Sequence, residues 1–425
     1  MPIEWILAGF FLLALAGVPI AFAIAAISAV YIIGSSMPLM VIGQRMVSGA
    51  DSFPLLAAPL FMLAGTIMNS GGIMQRLLRL SDAMIGHVRG GMAQVNVLSS
   101  LLMAGMSGSA TADAAGQGAT MIPAMTKSGY PRSMSAAITS ASSVIGPIFP
   151  PSVPFVIYGS IAQVSIGQLF VAAIIPGMLM AAVLIGTVYF ISRRENYRTR
   201  VGFDFGDFLS ALKASALDLM LPLIIIVGII GGIFTPVEAA SVAVVYALVL
   251  ELVIFRTIRP KQLPVILLQA GKLTGIIMFV ISVSNIFGWI LVREGIGQML
   301  ADTLLSMSSD PAVLRMLVVV LLLILGLFIE TVVLIVLIVP ILVSLGPQLM
   351  MDPVHLGVMV VFTTMLGLIT PPVGLCMFIV NSIARISITE YTRAILPYFA
   401  ALIACAFIIA MAPPLTTWLP QLLMR

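Results

Sequence analysis

The sequence predicts an all-α polytopic membrane protein folded as an inverted repeat with two re-entrant helical hairpins and two broken helices. Three observations carry this. The 425 residues are 61% hydrophobic and only 8% charged, against about 25% charged in soluble domains. Apolar runs near or above the roughly 20 residues that cross a bilayer recur from end to end. Two of these runs carry the same interruption 221 positions apart, Gly146-Pro-Ile-Phe-Pro-Pro151 and Gly367-Leu-Ile-Thr-Pro-Pro372. Proline removes a backbone donor and clashes with the preceding turn. Freed backbone groups at membrane depth persist only where protein buries them or where they line a polar cavity.

Apolar segments fall at 3–16, 19–33, 53–70, 91–125, 133–162, 168–192, 216–233, 237–255, 264–292, 312–346, 354–384 and 391–412. The first follows Met-Pro-Ile-Glu-Trp, without a basic region or a small-residue cleavage site, and reads as a retained helix. The segments at 74–86 and 297–306 are amphipathic and suit arm helices lying at the interface. The longest polar interval, Arg193–Lys213, divides the chain into a first repeat at 1–200, a cytoplasmic linker at 201–216 and a second repeat at 217–425. Within the repeats, hairpin 1 is expected at 91–125, a broken helix at 133–162, hairpin 2 at 312–346 and a second broken helix at 354–384.

Further matches support the repeat. Gly17-Val-Pro19 parallels Phe234-Thr-Pro236, Gly65–Ile73 parallels Gly288–Ile296, and Ser160-Ile-Ala-Gln163 parallels Ser382-Ile-Ala-Arg385, at offsets of 217 to 223. Matching interruptions in two halves point to a transporter's binding site. The loop charges then set orientation. With Arg193–Lys213 in the cytoplasm and both hairpins re-entrant, sixteen basic residues fall inside. Only Arg45, Arg293, Arg315 and Arg425 fall outside. Either hairpin drawn as a single span destroys this bias. Both termini are then placed outside, and the halves are inverted.

Composition also excludes functions. A formal charge of +4 indicates no nucleic acid, and Cys376, Cys405, His87 and His355 form no metal-ligand or disulfide spacing. No histidine neighbours the serine-rich tips, so a hydrolase is disfavoured and the chain is not expected to be an enzyme.

The first hairpin is expected to turn within Gly105–Gly118, where Ser107, Ser109, Thr111 and Asp113 bring oxygens to membrane depth. Small residues there also suit a packing seam, but the hydroxyls and carboxylate favour a cation site. The second turns within Gly326–Thr331, where Glu330 is the one charge between 316 and 351. A carboxylate in the membrane marks function by default, or else it holds the tip by hydrogen bonds. Ser140, Ser142 and Ser143 precede the first break and Ser152 follows it. Thr363 and Thr364 precede the second, and Thr370 lies within it. Half-helix N-termini after Pro151 and Pro372 aim N–H groups at an anion. Half-helix C-termini aim carbonyls, which suit Na+. Asn96 and Asn285 read as helix–helix glue.

Gly105–Gly118, Ile122–Pro131 and Gly146–Ser152, taken in order, resemble the large membrane subunit of TRAP (tripartite ATP-independent periplasmic) transporters, and the similarity covers essentially the whole chain. The resemblance implies Na+-coupled import of an organic acid, typically a C4-dicarboxylate or sialic acid, across the bacterial inner membrane by an elevator mechanism. It implies two partners, a small four-helix membrane subunit on a separate polypeptide and a soluble periplasmic substrate-binding protein. It places one sodium region at Gly105, Ser107, Ser109, Ser140, Ser143 and Gly146, and a second at Gly326, Thr331, Thr364, Gly367 and Thr370. Substrate contacts are expected at Ser109, Ser152 and Glu330, beside the breaks at Pro151 and Pro372. An autonomous divalent-anion/Na+ symporter and an ion channel remain as alternatives. On this assignment Ser109→Ala and Thr370→Ala raise the Na+ concentration required for half-maximal uptake; an unchanged Na+ dependence in both would refute it.

Overall fold

The computed structural model describes residues 3–195 and 202–424. These residues form helices joined by turns, with no strand among them. The first half runs α1 (Ile3–Leu15), α2 (Ile20–Gly34), α3 (Met40–Ala50), α4 (Ala57–Ser70), α5 (Ile73–Ile85), α6 (Gly91–Ser107), α7 (Ala110–Lys127), α8 (Arg132–Ser143), α9 (Val153–Ala162) and α10 (Ile166–Glu195). The second runs α11 (Phe205–Ile230), α12 (Pro236–Leu248, continued by a π turn to Ile254), α13 (Leu263–Arg293), α14 (Ile296–Met307), α15 (Pro311–Gly326), α16 (Thr331–Ser344), α17 (Gly346–Leu349), α18 (Pro353–Met365), α19 (Leu375–Ala384), α20 (Ile388–Met411) and α21 (Pro414–Leu423).

Among the described residues six helices are long and apolar enough to cross a membrane: Phe53–Ser70, Ile166–Glu195, Phe205–Ile230, Pro236–Ile254, Pro260–Arg293 and Ile388–Met411. Shorter helices make up two tip-forming pairs, α6/α7 and α15/α16, and two interrupted helices, α8/α9 and α18/α19. Local chemistry sets where helices start. Thr235 and Glu238 form a capping box ahead of α12, and Ser387 and Glu390 do the same for α20. Asp310 and Asp352 cap α15 and α18, each followed by a proline at the first helical position, where no N–H is missed. The matched motifs also end helices alike. Gln163 closes α9 and Arg385 closes α19, both at φ +55°, with Val164 N–H on the Gly159 carbonyl (3.0 Å) and Ile386 N–H on that of Asn381 (3.3 Å).

Three elements differ from the sequence expectation. α11 begins at Phe205, inside the stretch expected as a linker at 201–216, because Asp204 accepts from the N–H groups of Gly206 (2.8 Å) and Asp207 (3.3 Å). α3 occupies residues whose mixed polarity showed no apolar run, and α21 follows a double proline that reads as a stop. α21 packs on α10 and α18, where Thr416 hydrogen-bonds His355 (2.7 Å). Arg198, Arg200 and Arg425 of the charge count lie outside the described residues.

Packing places two sets of helices face to face. α4 lies on α12, and α13 lies on α2 and α3. The tip-forming pairs pack with the interrupted helices, α7 on α8 and α19, and α16 on α9 and α18. α13 meets α16, and α4 meets α6 and α9, so the two sets join around α4 and α13. Across this frame, Arg76 of α5 makes a bidentate pair with Asp218 of α11 (2.6 and 2.8 Å) and reaches Glu251 of α12 (3.0 Å), while stacking on Phe255 (3.8 Å). Asp218 and Glu251 are fully buried, and Gly71 lies against Glu251 so closely that a Cβ there would fall 2.2 Å from its carboxylate. Removing the guanidinium leaves two buried carboxylates unpaired. Arg76→Met is therefore expected to cost about 3–5 kcal/mol of stability, read as a lowered melting temperature of the purified chain.

Candidate functional site

The first tip is a turn of two residues. α6 ends at Ser107, Gly108 adopts φ +55°, and Ser109 caps α7 by accepting from the Ala112 N–H (3.4 Å). Glycine is required at 108 twice over: its φ is left-handed, and a Cβ would approach the Pro151 carbonyl to 3.2 Å. The Thr111 hydroxyl lies 3.2 Å from that of Ser109. Gly105 lies toward α11, where a Cβ would meet Pro222 at 2.7 Å, so its lack of a side chain serves close packing.

One turn into α7, Asp113 is buried, at 1% exposure, and the Ser107 hydroxyl is the one donor set toward its carboxylate, whose oxygens make no closer hydrogen bond. Gly146, in the first break, packs against it, with a Cβ falling 2.3 Å from Oδ2. The Ser107 hydroxyl is likewise buried and bonds no other group. A buried carboxylate with so little donation is costly unless a cation shares the site. Asp113 was singled out in the sequence only as a companion of the hydroxyls; the fold makes it the principal anionic group of the first tip.

The second tip is built differently. Glu330 caps α16, accepting with one oxygen from the N–H groups of Val332 (3.0 Å) and Val333 (3.2 Å). The tip rests on the second break with almost no side chain between: a Cβ on Gly367 would fall 2.3 Å from the Gly326 carbonyl oxygen. The Thr331 hydroxyl donates to the Thr364 carbonyl (3.2 Å), that of Thr364 to the Val360 carbonyl (2.9 Å), and that of Thr370 to the Gly367 carbonyl (3.1 Å).

The breaks are tied to each other by a residue no sequence signal marked. Tyr391 of α20, fully buried, donates its hydroxyl to the Ile369 carbonyl (2.9 Å) and pairs with the Ser140 hydroxyl (2.8 Å). Ser143 donates to the Ser140 carbonyl (2.8 Å). Ser152 caps α9, donates to the Pro147 carbonyl and is fully buried, behind the site surface. Both breaks contain a cis X–Pro bond, at Pro151 and Pro372. Asn96 joins α6 to α7 and α8, donating to Thr139 (2.7 Å) while its carbonyl accepts from Gln117 (2.7 Å).

Both tips and both breaks converge on one cavity of about 440 Å³. Ser107, Ser109 and Thr111 line it from the first tip, Glu330 and Thr331 from the second, Pro147 and Val153 from the first break, and Leu368 and Val373 from the second. α4 contributes Thr66 and Asn69, and α13 contributes Leu273 to Val280. Of the residues singled out in the sequence, Ser107, Ser109, Thr111, Glu330 and Thr331 reach the cavity wall. Gly105, Ser140, Ser143, Gly146, Pro151, Ser152, Gly326, Thr364, Gly367, Thr370 and Pro372 lie behind it. The volume suits a small organic molecule.

Residues 7–415 match the family model of the tripartite ATP-independent periplasmic transporter, DctM component. The chain belongs to this family. It is 40% identical to the sialic acid TRAP transporter large permease protein SiaM of Vibrio cholerae, over 96% of each chain. It is 34% identical to the C4-dicarboxylate TRAP transporter large permease protein DctM of Pseudomonas aeruginosa, over 88% of this chain and 87% of the relative. The YdaH transporter of Alcanivorax borkumensis has a similar fold, with TM-score 0.65 at 16% identity over 90% of this chain and 88% of that one. The chain is thus a multi-pass inner-membrane large permease subunit of a TRAP transporter and not an enzyme, and the tripartite family implies a small membrane subunit and a periplasmic binding protein as its partners.

If backbone contact between tip and break shapes this site, Gly367→Ala must displace the second tip. It is expected to cost about 1–3 kcal/mol in thermal unfolding of the purified chain. Gly346→Ala, where a Cβ would meet nothing within 4 Å, is expected to leave stability unchanged.

Proposed function

We propose that this subunit imports an organic acid of the sialic acid or C4-dicarboxylate class, coupled to Na+, by an elevator movement of the tips and interrupted helices against the frame of α2, α4, α12 and α13. The observation that carries this is the single cavity in which both tips and both breaks meet, with the buried carboxylate of Asp113 behind its wall. On this reading the halves are inverted repeats, the end bearing α5 is cytoplasmic, and both termini are periplasmic. A small four-helix membrane subunit braces the frame, and a soluble periplasmic binding protein delivers the substrate.

The charges suggest why cation and anion travel together. One carboxylate, Glu330, lines the cavity, a second, Asp113, lies buried in the first tip behind its wall, and none of the lining residues is a Lys or Arg. An organic anion entering there meets negative potential unless a cation first neutralises Asp113. The first sodium region would comprise Asp113, Ser107, Ser109 and carbonyls of the first break near Gly146. The second would comprise carbonyls of Gly326, Thr364 and Gly367 with the hydroxyls of Thr331 and Thr370. Both are oxygen-only donor sets, as a hard cation needs. With Na+ in place, the N-terminus of α7 and the hydroxyls of Ser109 and Thr111 face the cavity as donors for a carboxylate. Glu330, whose second oxygen is free of the cap bonds, accepts from substrate hydroxyls.

The test is uptake into proteoliposomes carrying the complete three-component system. Uptake of a sialic acid or of succinate should require both the binding protein and a Na+ gradient. Asp113→Asn should raise the half-saturating Na+ concentration at least about tenfold, equivalent to about 1.4 kcal/mol. Uptake by the chain without a binding protein, or unaffected by removal of Na+, would overturn the reading.

A further inference from the structure

A second cavity, of about 360 Å³, lies next to the first along α13. The first borders α13 from Leu273 to Val280, and the second borders it at Ile281 and Asn285. Its other walls come from the α3–α4 connection, with Ser48, Asp51 and Ser52, and from the end of α9, with Ser160 and Gln163. Between the two cavities α16 is seated on α13, and α9 on α4 and the turn at Phe53–Leu56. A side-chain hydrogen bond crosses this seam, from Ser52 to Ser160 at 2.8 Å.

The two halves differ here in an informative way. Ser160-Ile-Ala-Gln163 and Ser382-Ile-Ala-Arg385 are matched motifs whose last residues share the same left-handed backbone. Yet Ser160 is buried and bonded across the seam, whereas Ser382 is exposed and turns back onto the Ile379 carbonyl of its own helix (2.7 Å). α19 makes no contact with α4 or α13 comparable to that of α9 and α16. The offsets of the motifs flanking Ser52, 217 at Pro19–Pro236 and 223 at Gly65–Gly288, carry it to between Gln269 and Gly275 of α13, a stretch whose one hydroxyl is Thr274, next to Leu273 of the first cavity. One seam is closed and its counterpart is open.

We propose that the Ser52–Ser160 contact is the closing latch of one seam, broken when the site is exposed through the second cavity, and that Thr274 and Ser382 close the counterpart seam in that state. This rests on the elevator reading above and adds to it the residues at which each state is sealed. A hydroxyl pair suits such a latch. Its net strength is modest, so that it biases the resting state without trapping it, and both hydroxyls can be rehydrated in a polar cavity when it opens.

The chain's own cysteines, Cys376 and Cys405, are buried and free, which leaves introduced pairs as the accessible targets of an oxidant. In the three-component system, Ser52→Cys combined with Ser160→Cys should form a disulfide on oxidation. Uptake of a sialic acid or succinate should then fall at least tenfold and return with dithiothreitol. Thr274→Cys combined with Ser382→Cys should crosslink under turnover conditions and arrest uptake in the same reversible way. Failure of the first pair to crosslink, or uptake within twofold of the reduced protein once it has, would overturn the latch. Failure of the second pair to crosslink during turnover would overturn the reciprocal seam. Crosslink yield is read on a gel independently of transport, and Na+-driven uptake by the unsubstituted chain tests the function separately.

Discussion

The structure depends on one constraint: backbone groups freed in the middle of a membrane protein must be satisfied by protein. Each interrupted helix leaves carbonyls and N–H groups without partners in their own helix. Each is met by a helical tip that approaches with no side chain in between, Gly108 against Pro151 in the first half and Gly326 against Gly367 in the second. At Gly367 glycine is a matter of distance, since a Cβ would force backbone from backbone; at Gly108 the left-handed backbone adds to a tight approach.

The polar side chains around the breaks divide into those that finish the packing and those that face the cavity. Ser152, Thr364 and Thr370 return their hydroxyls to carbonyls of their own segments. Tyr391 and Asn96 bind separate helices together. Asp113 is different, because the fold buries it and leaves it only the Ser107 hydroxyl as a nearby donor. On the proposed function, a cation offsets that imbalance and admits an anionic substrate.

The Arg76, Asp218 and Glu251 cluster serves the frame and not the site. It joins the amphipathic α5 of the first half to two helices of the second. The Ser52–Ser160 contact is of another kind, lying between the frame and the tip-bearing helices. A strong ionic tie within the frame and a weak hydroxyl pair across the seam fit a molecule in which one part stays and another travels.

Much of this was legible in the residues. Composition and apolar run length settle the helical membrane class, because a bilayer leaves few alternatives for backbone hydrogen bonding. The doubled Gly–Pro–Pro interruptions mark the two breaks that border the cavity, since proline acts on its own turn and needs no tertiary context. Helix starts at Thr235, Ser387 and Asp352 were equally local. Which oxygens face the cavity was decided only by the tertiary structure. Ser109 and Ser152 look alike in sequence, each capping a short helix, yet one lines the cavity and the other is sealed behind it. Gly146 closes over Asp113 from the first break, and Tyr391 reaches both breaks from an apolar segment with no local mark. Sequence pattern reports what a residue does to its own turn of chain; burial and pairing are set by neighbours hundreds of positions away.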